Sequence, residues 1–328
     1  MKTWQKNEMS TEQPPSCLPK HFRDRLRLPL IAAPMLNISG PELVVAACRS
    51  GVVGAFPTLN PRLLRTPGGL DAWLDQIMGQ LRDSDGPHAP VCPNIVMRND
   101  ELAAHVKSVI DHGVEMVITS VGSPAPILPQ LHDAGIFVFA DVASLRHAQK
   151  AIETGVDGLV LLTAGAGGHT GWLNPFAYVR AVRKMFDGPI VLAGGIIDGV
   201  ALRAAETLGC DLTYMGTKFI ATRESLATAE YRDFLTRSSM DDIILTKAFS
   251  SLQGNYLRPT LERFGIDPET LDESITWEEA RARYGSRGEG PKRWQDILAA
   301  GHTVSGVESV LGVAELVDQT EQEYLSAR

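Results

Sequence analysis

The chain has 328 residues, with 31 Lys and Arg against 39 Asp and Glu, giving a formal net charge of −8. That balance argues against a nucleic-acid-binding surface, which needs clustered basic side chains to neutralise phosphates. A composition of 44% hydrophobic and 21% charged residues excludes wholesale disorder. No run reaches the roughly 18 apolar residues of a membrane span, and the N-terminal MKTWQKNEMSTEQPPSCLPK lacks the apolar core of a secretory signal. A cytoplasmic enzyme is the expectation. Cys17, Cys48, Cys92 and Cys210 are scattered without metal-ligand spacing, so reduced thiols and no metal site are expected.

Residues 1–22 carry two adjacent prolines at 14–15 and little apolar content, and read as a flexible N-terminal extension. Short apolar runs follow at 30–35 (LIAAPM), 52–56 (VVGAF), 91–96 (VCPNIV) and 114–120 (VEMVITS). Four more lie at 136–142 (IFVFADV), 158–163 (GLVLLT), 189–194 (PIVLAG) and 212–218 (LTYMGTK). Their near-continuous hydrophobicity suits strands buried on both faces of a parallel sheet. Between them, 41–49, 100–111, 145–154, 174–185 and 199–208 have helical spacing. Asn174–Pro175 and Asp198 stand as N-terminal caps, and Gly113, Gly155 and Gly209 as stops.

Eight strand–helix repeats within about 190 residues are the count of a (β/α)₈ TIM barrel. A doubly wound sheet alternates in the same way; the count and the placement of the glycines favour the barrel. The barrel is assigned to 23–223 and 295–328. The polar, charge-rich stretch 224–294 shows no buried-strand run and reads as a mostly helical insertion covering one edge of the barrel mouth. Residues 297–325 return to an amphipathic pattern expected to form the closing helix.

Barrel chemistry sits where strands end and βα loops begin. Those positions hold Pro34, Met35, Asn94, Thr119, Ser120, Asp141, the loop 165–171, Gly194, Gly195, Gly216 and Thr217. Paired glycine-bearing loops after the seventh and eighth strands, AGGI and MGTK, let backbone N–H groups approach a phosphate. After the sixth strand, four glycines in 165–171 surround His169, and a positioned histidine can exchange a proton near neutrality. The other seven histidines lie away from strand ends and read as surface or packing residues.

Pro34–Met35, GGHTG (167–171), AGGI (193–196) and MGTKFIATRES (215–225) together resemble the nitronate monooxygenases, formerly the 2-nitropropane dioxygenases. The resemblance spans roughly 28–225, with weaker similarity at 299–316. It implies FMN across the barrel mouth. The phosphate would rest on Gly194, Gly195, Gly216 and Thr217, with Ala33, Pro34 and Met35 lining the ring. Asn94 would bond the ring edge, Gly167 would pass beside it, and His169 would be the substrate-facing base. Trp172 either walls the pocket or packs exposed on its own helix.

Two positions depart from the family pattern. Gly165 stands where many members have Glu, and Asp141 where some have a Lys beside the flavin. A lysine there would stabilise negative charge on the reduced ring; an aspartate opposes it, and either turns away or accepts a hydrogen bond from flavin N3. The implied reaction is oxidation of alkyl nitronates or nitroalkanes by O₂ to a carbonyl compound and nitrite. Its partners would be a small-molecule substrate and O₂, with a homodimer left open. The same superfamily holds NAD(P)H-dependent reductases of quinones and enoyl thioesters, which stand as the alternative. A barrel that binds without turnover is the third reading, weakened by His169 in the ligand loop.

Overall fold

A computed structural model describes residues 16–84, 86–285 and 288–327. The eight apolar runs become β1 (Leu30–Ala32), β2 (Val53–Pro57), β3 (Val91–Val96), β4 (Met116–Ser120), β5 (Phe137–Val142), β6 (Gly158–Leu162), β8 (Ile190–Ala193) and β9 (Leu212–Met215). They form a closed barrel, parallel throughout, with β9 returning to β1 through Leu30↔Thr213, Ile31↔Tyr214 and Ala32↔Met215. The fold is therefore a (β/α)₈ barrel. Alternate side chains split between two cores, as strand geometry requires. Ile31, Val53, Met116, Phe139, Val160 and Val191 fill the barrel interior. Leu30, Phe56, Ile95, Val117, Val138 and Leu192 face the helices.

The helices owe their ends to local chemistry. Leu145–Thr154 starts where Ser144 Oγ accepts from His147 N, and stops at Gly155 with φ +90°. Pro175–Val182 is capped by Asn174, and Gly199–Leu208 by Asp198, whose Oδ1 accepts from Ala201 N at 2.7 Å. The closing helix occupies Val313–Ser326 and packs against Gly199–Leu208 and Pro41–Arg49. It is shorter than expected: 297–312 is irregular, with one 3₁₀ turn at His302–Gly306. No helix among the described residues is long and apolar enough to cross a membrane.

Two segments differ from their expected form. Residues 1–15 of the presumed extension lie outside the described residues, but Leu18 and Phe22 are buried and join the barrel-interior cluster from below. Asp211 ties that segment down, accepting from Ser16 Oγ at 2.9 Å and Cys17 N at 2.6 Å. The insertion 224–294, expected to be mostly helical, also contains a hairpin of β10 (Ile243–Thr246) and β11 (Gly254–Leu257). The hairpin pairs with a two-residue strand in the loop after β6, β7 (Gly168–His169), through Gly254↔His169 and Asn255↔Gly168. Strands of two to four residues leave little hydrophobic pattern in a sequence: β7 and most of β10 are part-exposed, and β11, although buried throughout, opens with Gly254 and Asn255.

Candidate active site

The expected strand ends meet at one mouth. A Cβ on Gly216 would lie 3.6 Å from both Ala33 Cβ and Met35 Sδ, so the ends of β1 and β9 abut across the barrel seam. Ser39 fixes the exit from β1: its hydroxyl accepts from Met35 N at 3.0 Å and donates to Ala33 O at 3.2 Å. Gly194 takes φ +123° and is packed against Thr163 Oγ1. Its neighbour Gly195, at φ +81°, has nothing within 4 Å of where a Cβ would stand, which leaves bare backbone beside open space. Thr217 Oγ1 accepts from Gly301 N at 3.0 Å, and its own hydrogen stays available to a ligand.

Asn94 is buried, and its Oδ1 accepts from Ser120 Oγ at 3.0 Å. That bond orients the amide and leaves Nδ2 as the free donor. Thr119 is spent on the barrel wall, donating to Phe139 O at 3.0 Å. Asp141 projects to the inner side of β5, two residues beyond Phe139, and its buried Oδ1 has no partner among the described residues. The Tyr214 hydroxyl on β9 is likewise buried and unpaired. Burial pushes the Asp141 carboxyl up to about 7.

A raised carboxyl binds its proton more tightly in the folded state than in the unfolded one. Its contribution to stability is therefore full below pH 3.8 and is lost as pH rises toward 7. Asp141→Asn should match the wild type in urea unfolding near pH 4 and exceed it by ~2 kcal/mol at pH 8 in the cofactor-free protein. That figure is about half of the full linkage value, since the residue retains some exposure. Equal stability of the two proteins at pH 8 would show Asp141 to be solvated.

His169 sits on β7, held by the insertion. Its Nε2 lies 3.1 Å from Ser250 Oγ, and its ring meets the Trp294 ring edge-on at 5.4 Å. Trp294 in turn stacks on Tyr256, with centroids 5.2 Å apart. Trp294 occupies the left-handed region at φ +66°, secured by its N–H to Ile297 O and by Asn37 Nδ2 to its carbonyl. Asn255 Nδ2 donates to Ala166 O at 2.7 Å, and Thr170 N to Gln253 O at 3.1 Å, so the glycine loop is clamped on both sides of the histidine. Burial and then the nearby Arg293 charge lower the His169 pKa to about 4, which makes the imidazole neutral at physiological pH.

Sequence reasoning missed Ser250, Asn255, Tyr256, Arg293 and Trp294. The only trace of this support was the β-branched pair Ile243–Ile244 ahead of Gly254. Gly167 packs against the Ala300–Gly301 backbone, where a Cβ would come within 2.8 Å of Gly301 N. Gly165, at φ +89°, lies beside His302, one of the histidines read as peripheral. Trp172 is 69% exposed. Among the described residues no hydrogen bond joins Asn94 or Asp141 to His169, so they are separate points around the mouth.

A neutral, rigidly held histidine above a barrel with bare glycine loops is the arrangement that known proteins can be compared with. The nitronate monooxygenase family model matches residues 89–323. The chain belongs to that family. It is 25% identical to the nitronate monooxygenase of Paraburkholderia phytofirmans, over 90% of this chain and 92% of that one. Its fold is similar to FabK from Thermotoga maritima (TM-score 0.76, 24% identity, 92% of this chain and 93% of that one). It is also similar to a nitroalkane oxidase from Streptomyces ansochromogenes (TM-score 0.75, 23% identity, 93% and 98%). As a nitronate monooxygenase family member, the chain is an oxidoreductase of a generally flavin-dependent group that acts on small molecules.

The residues present fit a flat, phosphate-bearing cofactor. Gly195 leaves open space where a side chain would stand, Thr217 has a hydroxyl hydrogen not committed among the described residues, and Asp141 an orphaned oxygen inside the mouth.

Proposed function

We propose that the protein is an FMN-dependent nitronate monooxygenase, which oxidises alkyl nitronates or their parent nitroalkanes with O₂ to a carbonyl compound and nitrite. The observation that carries this reading is a neutral histidine fixed in the family's glycine loop. Gly194, Gly195, Gly216 and Thr217 would hold the phosphate; Ala33, Pro34, Met35 and Gly167 would flank the ring, and Asn94 and Asp141 would meet its polar edge. Bound FMN would supply electron acceptance from the substrate anion and reaction with O₂. The protein's own part is proton handling and shielding. His169 takes the proton from the nitroalkane carbon, and the pair of electrons stays on the substrate as the nitronate. Trp294 and Tyr256 wall the histidine on the insertion side.

Anaerobic mixing of the purified holoprotein tests the reading. Bleaching of the flavin by a primary nitronate, with slow or no bleaching by NADH and NADPH, is the expected result. Rapid bleaching by a reduced nicotinamide and none by the nitronate would replace it with the reductase of a quinone or an enoyl thioester.

A further inference from the structure

We infer that Ser250, on the hairpin turn of the insertion, fixes His169 as the Nε2–H tautomer and so presents the lone pair of Nδ1. The hydroxyl of Ser250 has one hydrogen, and its carbonyl partner Leu252 O, at 3.1 Å, can only accept. With that hydrogen committed, Ser250 Oγ meets His169 Nε2 at 3.1 Å as an acceptor. A neutral imidazole carries a single N–H, so Nε2 holds it and Nδ1 is the basic nitrogen. Among the described residues Nδ1 has no hydrogen-bond partner.

The hydroxyl is held where it can enforce this choice. Ser250 is fully buried, and its N–H and that of Ser251 both close on Lys247 O, at 3.1 and 2.8 Å. Ser251 turns through φ +58° to bring Leu252 O back onto the hydroxyl. The β11–β7 pairing sets the register that puts this turn beneath the imidazole. The charged and titratable groups around the ring are Arg293, which disfavours its protonation, and Tyr256, which packs between Trp294 and Phe249.

The tautomer has a chemical consequence, which rests on the proposed function. The C–H bond of the nitroalkane breaks and an Nδ1–H bond forms. The resulting imidazolium keeps its Nε2–H on Ser250 Oγ, which helps to hold the new positive charge. Ser250 is then a positioning residue that acts through His169.

Long-range ¹H–¹⁵N correlation of the ¹⁵N-histidine-labelled holoprotein tests it, with the His169 signals assigned by their loss in His169→Asn. At pH 7.5 we expect a protonated Nε2 and an unprotonated Nδ1. In Ser250→Ala the pattern should collapse toward a mixture. In the same variant, turnover of neutral nitroalkane should fall roughly tenfold, and the acid limb of its pH profile should move lower. A protonated Nδ1 in the wild type, or an unchanged tautomer in Ser250→Ala, overturns the inference; the wild-type spectrum decides even if the variant fails to fold. The proposed activity fails separately, by the absence of nitronate-dependent flavin bleaching.

Discussion

Replacement of His169 by Asn should leave the cofactor bound but cut turnover of a neutral nitroalkane by about 10²–10⁴-fold, the usual worth of a positioned base. Turnover of the preformed nitronate should change far less, because that substrate arrives without the proton. Asparagine keeps the backbone pairing of β7 with β11, so the glycine loop should hold its shape, although its shorter side chain gives up the contact that Nε2 makes with Ser250. Steady-state rates with both substrate forms, set beside the visible spectrum of the variant, provide the check. Equal losses on the two forms would remove the base role and leave His169 as a packing residue. With its pKa lowered to about 4, the wild-type imidazole stays neutral and competent down to mildly acidic pH.

The largest expected loss of stability lies on the opposite side of the barrel. Asp211 pairs with Arg183 at 2.7 Å, with both side chains largely buried, and accepts from Ile190 N at 2.9 Å. Arg183 also donates to the carbonyls of Phe186, Gly188 and Gly209. Asp211→Ala would strand that guanidinium charge and leave the Ile190 N–H unpaired at the start of β8. It would also release Ser16 and Cys17 from their anchor. Breaking one partner of a buried pair costs about 3–5 kcal/mol. A urea midpoint lowered by that amount, with an unchanged slope, is expected; a loss under about 1 kcal/mol would mean that water replaces the carboxylate without penalty.

The barrel was legible because its strands are largely buried on both faces and write themselves as near-continuous apolar runs. The helix ends were legible where a single side chain makes them, as at Ser144, Asn174 and Asp198. The glycines at 194–195 carried the mouth, since positive φ admits little else, whereas Gly216 would accommodate a Cβ at ordinary contact distance. The support of His169 was not legible. Ser250, Asn255 and Trp294 act through hydrogen bonds and ring contacts made across long stretches of chain, and nothing in their local sequence announces a partner. The burial of Leu18 and Phe22 was missed for a related reason: two apolar residues in a polar segment give no periodicity to read.

The clamp on the glycine loop bears on the order in which the molecule is assembled. Barrel strands pair mainly with sequence neighbours, and the last of them ends at Met215. The bonds that finish the site draw on chain beyond the last strand: His169 waits for Ser250, 81 residues on, and Thr217 for Gly301, 84 residues on. Long closures are slow, and a chain emerging from the ribosome folds its early parts first. The nascent protein thus has all its barrel strands before it has a held histidine. A completed site has to wait for the chain as far as Gly301.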